Sequence, residues 1–281
     1  MAKISVIGIC GNSIFMQVDH FHHPGETVTA HSVYEEIGGK GINQAIAAAQ
    51  MGATVSFLAA IGDDQDGVTC REVAERYGVN GFFAIKAGMR TTFAVILTNR
   101  YGDNQVTGYH SAELTVEDVL SFEQEIADSD ILLLQHEVPP AVNEVAVRLA
   151  AKHCVKVILN PAPIRPISEA LANGIFAVTP NEQERQAIVP SRFQNCITTL
   201  GEKGCDINGE TTVAALPVKA VDTTGAGDTF NGVLAVCVAS GLSLEEACRW
   251  AVCASGLSVT KPYVLDAIPT KNEIERKMLY E

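Results

Sequence analysis

Residues 221–232 read Val-Asp-Thr-Thr-Gly-Ala-Gly-Asp-Thr-Phe-Asn-Gly, and they carry the most legible chemistry in this chain. Gly225, Ala226 and Gly227 are small enough to let a ligand approach the backbone. The apolar run at 230–238 that follows reads as a buried helix. The first N–H groups of a helix lack intrahelical partners, and the helix dipole favours negative charge there. A glycine-rich turn opening onto that end is an anion cradle. A carboxylate in such a cradle would repel an anion that merely bound. Asp228 makes sense as a base that takes a proton from a nucleophile while the N–H groups hold charge on a group in transfer. That combination points to phosphoryl transfer to a hydroxyl. The competing reading is a plain helix entry capped by Asp228.

Other stretches could work with it. In Ile37-Gly38-Gly39-Lys40-Gly41-Ile42-Asn43-Gln44-Ala45, paired glycines form a joint, and Lys40 and Asn43 can point into a cleft. The Walker spacing is absent, and a turn with a solvated lysine is the alternative. Thr179-Pro180-Asn181-Glu182-Gln183-Glu184 follows an apolar run and opens a helix. Asn181 and Glu184 would then sit at a strand's carboxyl end, where α/β proteins bind ligands, and could orient a hydrated Mg2+. A capping box uses the same pair. Thr199-Leu200-Gly201 could line a nucleotide or make a hairpin turn. Asp63-Asp64 after Ile61-Gly62 is a strand-end site or a helix start. His20 and His22 would share a strand face, but a third metal ligand is not in view, so with His23 they read as solvated or substrate-facing.

These residues need a scaffold. Apolar runs at 4–9, 55–61, 93–98, 131–135, 155–160, 175–179 and 197–200 read as strands, with a hairpin-like pair at 205–208 and 212–216. Helical patterns fall at 43–51, 67–77, 116–127, 140–152, 182–188, 228–239, 244–259 and 271–279. This alternation predicts a mostly parallel sheet with helices on both faces. No repeat or linker divides the chain, so 1–281 reads as one domain. Residues 12–36 and 90–110 alternate polar and apolar positions around Pro24-Gly25 and Gly102-Asp103-Asn104 turns. They predict a small β-sheet standing off the main layer, as a lid or an oligomer contact.

A net charge of −13 argues against a nucleic-acid surface and leaves a nucleotide site open. With 47% hydrophobic and 19% charged residues, the 281-residue chain can bury a large core. The 8 cysteines show neither CxxC nor zinc-ligand spacing, and most sit in apolar runs and read as buried free thiols in a reducing cytosol. The N-terminus runs directly into a strand pattern without a signal layout, and the longest apolar stretch, 232–242, is too short to span a bilayer. The expectation is a cytoplasmic protein with neither nucleic-acid nor membrane partners.

Taken in order, these segments resemble the PfkB carbohydrate kinases, and most of all their ribokinase branch. The resemblance runs from Pro24-Gly25-Glu26-Thr27 through residues 38–45 and Ile61-Gly62-Asp63-Asp64 to Asn160-Pro161-Ala162-Pro163. It continues through Thr179-Pro180-Asn181-Glu182 and Ile197-Thr198-Thr199-Leu200-Gly201 to the 221–232 segment, nearly the whole chain. It implies a three-layer α/β/α ribokinase-like fold with a mostly parallel central sheet and a β-sheet lid through which homodimers form. It implies ATP-dependent phosphorylation of a hydroxyl on a sugar or sugar-like molecule. By position, Asp228 matches the catalytic base, and Gly225, Ala226 and Gly227 match the anion hole. Asn181 and Glu184 match the Mg2+–phosphate region, and Asn181, Thr199, Gly201 and Gly227 match nucleotide contacts. Asp222 and Thr224 match the start of a monovalent-cation (K+) site. Gly39, Lys40, Asn43 and Glu137 fall where the family contacts substrate, together with Ser13 and Asp228. A nucleoside or pseudouridine acceptor is the alternative within this chemistry; a catalytically silent sugar- or nucleotide-sensing protein is the alternative outside it.

The chain departs from the family pattern in three places. Ribokinases follow the first strand with an Asn and an Asp that grip sugar hydroxyls. Counting without gaps from Gly8 to Pro24-Gly25 puts Gly11 and Ser13 there. Losing the Asp removes an acceptor for two hydroxyls, so the acceptor preference is expected to shift, with Asn12 and Asp19 as candidate substitutes. The segment between Glu184 and Ile197 is short, which predicts a helix and strand trimmed from the sheet edge. Lys261-Pro262-Tyr263-Val264-Leu265-Asp266-Ala267 replaces a Gly-Ala-rich loop, so that Tyr263 would stack on an adenine or close a smaller cation site.

Overall fold

The computed structural model describes residues 1–101 and 103–279; Gly102 of the expected 102–104 turn lies outside the described residues. The first strands are β1 (Lys3–Ile7), β2 (Gly11–Gln17), β3 (Ser32–Gly38), β4 (Thr54–Gly62), β5 (Asn80–Lys86), β6 (Phe93–Thr98) and β7 (Asn104–Tyr109). They are followed by β8 (Ile131–Gln135), β9 (Lys156–Asn160), β10 (Ala177–Val178), β11 (Asn195–Thr199), β12 (Cys205–Ile207) and β13 (Thr211–Val213). The helices are α1 (Lys40–Gln50), α2 (Gln65–Arg76), α3 (Val116–Ser121), α4 (Glu123–Ala127) and α5 (Pro140–Lys152). The second half adds α6 (Glu169–Ala172), α7 (Glu182–Gln186), α8 (Ala226–Ala239), α9 (Leu244–Ser258) and α10 (Lys271–Leu279).

The large sheet has the order β13-β12-β11-β10-β9-β8-β1-β4-β5. Its pairs are parallel from β5 to β11, and β12 and β13 add an antiparallel edge. Successive side chains of a strand point to opposite faces. Ile4, Val6, Ile131 and Leu133 accordingly enter one core with α1, α8 and α9. Ile7, Leu132 and Leu134 enter a second core with α5. The Ile131-Leu132-Leu133-Leu134 run is fully buried because both faces are covered, each side chain contributing roughly 1.5–3 kcal/mol. The result is the expected three-layer α/β/α arrangement.

The smaller sheet has the order β3-β2-β6-β7 and uses residues from both stretches that break the main pattern. Residues 18–31 between β2 and β3 carry no strand, so His20 and His22 do not share a strand face. His20 Nε2 instead lies 2.9 Å from Glu26 Oε1. Three further differences have local causes. The 116–127 helix breaks at Phe122, whose ring is buried against Phe82 with centroids 5.1 Å apart. The 175–179 strand shrinks to two residues before Pro180, which cannot donate to a ladder. Strand β5 was not expected, because Asn80 and Gly81 mask a short edge strand. Between α7 and β11 the chain makes one 3-10 turn at Pro190–Arg192, which fits the trimmed edge that the short segment predicts.

Helices α1 and α8 cross at the carboxyl end of the sheet, and Gly232 lets them approach. A Cβ there would lie 2.6 Å from Ala47 Cβ and 2.6 Å from Gln44 O. Gly232→Ala is expected to lower unfolding free energy by about 1–3 kcal/mol through overpacking, read from the denaturant midpoint.

Candidate active site

Asp228 sits in the first turn of α8 and is 6% exposed. The helix is entered through Gly225 at φ 73°, a left-handed conformation that favours glycine. A Cβ at Gly225 would also lie 2.5 Å from Val264 Cγ1, so the loop at 264 backs directly onto the turn. A Cβ at Gly227 would meet nothing within 4 Å; the backbone there faces open space.

Two amides from consecutive residues of α1 grip the Asp228 carboxylate. Asn43 Nδ2 donates to Oδ2 at 3.0 Å, and Gln44 Nε2 donates to Oδ1 at 3.0 Å. Hydrogen bonds to a charged group contribute roughly 1.5–3 kcal/mol each, and two of them fix the carboxylate's orientation. Each oxygen retains capacity to accept one more proton or donor. Gln44 is itself held, accepting Gln135 Nε2 at 2.7 Å and donating to Asn160 Oδ1 at 3.3 Å. Asn160 Nδ2 donates to Thr179 O at 3.2 Å, and Thr179 Oγ1 donates to Asn231 Oδ1 at 2.6 Å. Asn231 Nδ2 returns to Gly227 O at 2.8 Å, which closes a loop through the ends of three adjacent strands back to α8.

A cavity of about 230 Å3 opens over this network, lined among others by Lys40, Asn181, Glu184, Thr199, Gly227 and Asp228. A larger cleft of about 360 Å3 lies between α9 and α10, away from the strand ends and the motif residues. The neighbouring Asp228 carboxylate raises the Lys40 pKa, with smaller contributions from Glu137 and Glu184, so Lys40 stays charged. Burial pushes Glu137 up to about 7 despite Lys40 and despite the Lys40 N–H that donates to its Oε2 at 2.7 Å. Burial also raises Glu184.

Asn181 and Glu184 form a capping box: Glu184 N donates to Asn181 Oδ1 at 2.8 Å, and Asn181 N donates to Glu184 Oε2 at 2.8 Å. Both residues nonetheless line the cavity, so capping and ligand contact are compatible uses of the pair. A single parallel bridge sets Asn181 beside Thr199. Gly201 opens an exposed 3-10 turn beyond β11 at φ 57°. Asp222 Oδ1 accepts Thr224 N at 2.9 Å, and its Oδ2 accepts Tyr263 N at 3.0 Å.

On the other side, Gly39 caps α1 and Ser13 Oγ lies against Gly38, where a Cβ would stand 2.6 Å away. At Gly11 a Cβ would be 2.0 Å from Thr92 O, so no side chain fits this backbone. Neither candidate substitute turns inward. Asn12 Nδ2 donates to Glu35 Oε2 at 2.9 Å, and Asp19 pairs with His31 at 3.2 Å on the surface.

The pfkB family of carbohydrate kinases matches residues 1–271. The chain belongs to that family. It is 32% identical to a ribokinase of Haemophilus influenzae, over 96% of each chain. The structure of a ribokinase from Thermotoga maritima superposes with a TM-score of 0.90 at 31% identity, over 99% of this chain and 100% of that one. A ribokinase of Arabidopsis thaliana, solved with ribose and ATP, gives a TM-score of 0.85 at 27% identity over 98% of both chains.

Sequence reasoning singled out Asp228, Lys40, Asn181, Glu184 and Thr199, which line one cavity, and Asn43, which lies behind it and reaches it through Asp228. It missed Gln44, Gln135 and Asn231 as structural partners of Asp228. Their signal was available: each is an amide in an otherwise apolar run, buried to within 1%. Buried polar groups are hydrogen-bonded to something, so such residues mark a network.

Glu137 makes stability depend on pH. Its folded pKa lies above the ordinary carboxylate value, so its contribution is fully present below about pH 4 and lost as pH rises through about 7. Glu137→Gln should therefore gain stability relative to the parent between pH 5 and pH 8, read from paired urea midpoints.

Proposed function

We propose that the protein is an ATP-dependent sugar kinase of the ribokinase type, with Asp228 as the catalytic base. The observation that carries this is the two-amide grip on Asp228 beside the open backbone at Gly227, at the start of a helix, in a chain of this family. The sugar lies beneath the small sheet against Gly39, Lys40, Asn43, Ser13 and Glu137, and ATP lies along Asn181, Thr199, Gly201 and Gly227. The small sheet is then the lid, and residues 1–281 form one kinase domain.

Asp228 accepts the proton of the attacking hydroxyl, the new O–P bond forms, and the bond to the β,γ-bridging oxygen breaks to release ADP. Charge on the transferring phosphoryl faces the N–H groups of 225–228, which are already oriented and need no reorganisation. The Lys40 ammonium adds a fixed positive charge between acceptor and phosphates. Orientation of the base is the chief contribution of Asn43 and Gln44.

Both Glu184 oxygens accept N–H groups of Asn181, at 3.0 and 2.8 Å, so the pair fits an Mg2+ ion that keeps its own waters and makes no direct bond to the carboxylate. Glu184 is a buried carboxylate on the cavity wall, and Asn181 adds an amide oxygen beside it. When bound, the ion would neutralise phosphate charge, held by these two residues through its own waters. A K+ ion at Asp222 and Thr224 fits less well, because both Asp222 oxygens already accept backbone N–H groups. No step is assigned to it. Exposed Val33, Val106 and Tyr109 on the small sheet support a homodimer through the lid. No helix among the described residues is long and apolar enough to cross a membrane, and we place the protein in the cytoplasm. A nucleoside acceptor is the second reading, favoured by one observation: Gly11 has no room for the side chain with which ribokinases grip their sugar.

Asp228→Asn should lower kcat for pentose phosphorylation by about 10²–10⁴-fold, in a coupled ADP assay. Activity close to the parent's would remove Asp228 as base. Gly227→Ala should leave stability unchanged or higher by up to about 1 kcal/mol, while turnover falls by about tenfold or more. Unimpaired turnover would mean that the phosphoryl group does not pass over this backbone.

A further inference from the structure

A lid strand is fastened to the loop behind the anion cradle. Glu36, third from the end of β3, reaches across to residues 264 and 265. Its Oε1 accepts Val264 N at 3.0 Å and its Oε2 accepts Leu265 N at 3.2 Å. Two residues earlier on the same face of β3, the Tyr34 ring stacks on Tyr263 with centroids 3.6 Å apart and planes at 18°. Phe15 of β2 closes the group edge-on, 6.0 Å from Tyr263. Tyr263 is therefore packed against the lid, rather than free to stack on an adenine.

The loop so held touches the cradle at two points. Tyr263, at φ 64°, donates its N–H to Asp222 Oδ2, and Asp222 Oδ1 accepts Thr224 N. Val264 Cγ1 abuts Gly225, the residue that starts α8. On the far side, Tyr77 Oη donates to Asp266 Oδ1 at 2.9 Å and ties the loop to the end of α2. Strand β3 itself runs on through Gly39 into Lys40 and α1, which carries both amides that grip Asp228.

A monovalent cation needs oxygen ligands, and each carboxylate oxygen of Asp222 and Glu36 already accepts a backbone N–H group. Three successive backbone N–H groups, of Tyr263, Val264 and Leu265, point at carboxylates. We propose that the Glu36 carboxylate and the Tyr34–Tyr263 stack are the positioning device of the anion cradle, so that the lid strand, and no bound monovalent cation, holds the loop behind Gly225. Glu36 acts through the backbone of its neighbours and touches no reacting atom. Setting the lid strand over an acceptor thereby sets the cradle for the phosphoryl group. The inference rests on the kinase reading.

The test uses the full-length protein with ATP, Mg2+ and a pentose panel, comparing the parent with Glu36→Ala, Glu36→Gln and Tyr263→Ala. Glu36→Ala should lower kcat by about tenfold or more while the acceptor KM moves by less than about twofold, because Lys40 and Asn43 are untouched. Glu36→Gln, which keeps one acceptor oxygen, should recover part of the loss, and Tyr263→Ala should resemble Glu36→Ala. Replacing all K+ and Na+ by tetramethylammonium should change the parent's kcat by less than about twofold. Full kcat in Glu36→Ala, or a parent that loses about tenfold or more without K+, overturns the clamp. A parent without turnover on any acceptor would instead sink the kinase reading, which keeps the two failures apart. If Glu36→Ala does not fold, Glu36→Gln and the cation replacement still decide.

Discussion

Two amide side chains on one helix hold a single carboxylate on another, and the rest of the site is arranged around that grip. Asn43 and Gln44 are consecutive residues near the start of α1, so they can reach the two oxygens of Asp228 only if α1 and α8 cross closely at this height. Gly232 permits the approach, and the sheet beneath aligns both helix starts with the carboxyl ends of β8, β9 and β10. The further amides, Gln135, Asn160 and Asn231, stop Gln44 and the α8 backbone from finding other partners. The amide donors of this network are matched, which makes it rigid, while the buried oxygens Asn43 Oδ1 and Gln135 Oε1 are left without a partner. Rigidity is what a base needs if its oxygen is to meet a hydroxyl proton within hydrogen-bonding distance.

Charge in the cavity is poised for a ligand that brings both signs. Lys40 carries the positive charge among Asp228, Glu137 and Glu184, and burial raises the pKa of both Glu137 and Glu184. A bare triphosphate would be repelled by those carboxylates. A triphosphate carrying a divalent cation would not, which is the physical argument for reading Glu184 with Asn181 as a magnesium region. Glu137 is raised mainly because its carboxyl is desolvated, with the nearby Asp228 charge adding to the shift.

Periodicity carried most of the fold, because strands buried on both faces read as unbroken apolar runs such as Ile131-Leu132-Leu133-Leu134. It failed where tertiary contacts override local preference. Phe122 breaks a helix to bury its ring, and Asn80-Gly81 conceals an edge strand. At the site, short motifs carried Asp228, Lys40, Asn43 and the Asn181–Glu184 pair, since small residues and paired polar groups at strand ends are local signals. Gln44, the second amide that orients Asp228, lies 184 residues away in sequence and became visible through contact. Glu36 and Tyr34 were the least legible: on a half-exposed strand, polar and aromatic residues alternate with no sign that one of them reaches a loop 228 residues further on. Gly11 was read as a missing polar side chain, and the structure supplies the reason in the Thr92 carbonyl that occupies its space.

The most direct test of the central claim is to follow ATP and a pentose panel with the purified protein by 31P NMR. The expected result is a new phosphomonoester resonance, proton-coupled to a carbinol of the acceptor, that grows in step with ADP. Consumption of ATP yielding inorganic phosphate alone, or no consumption with any sugar or nucleoside, would contradict the account.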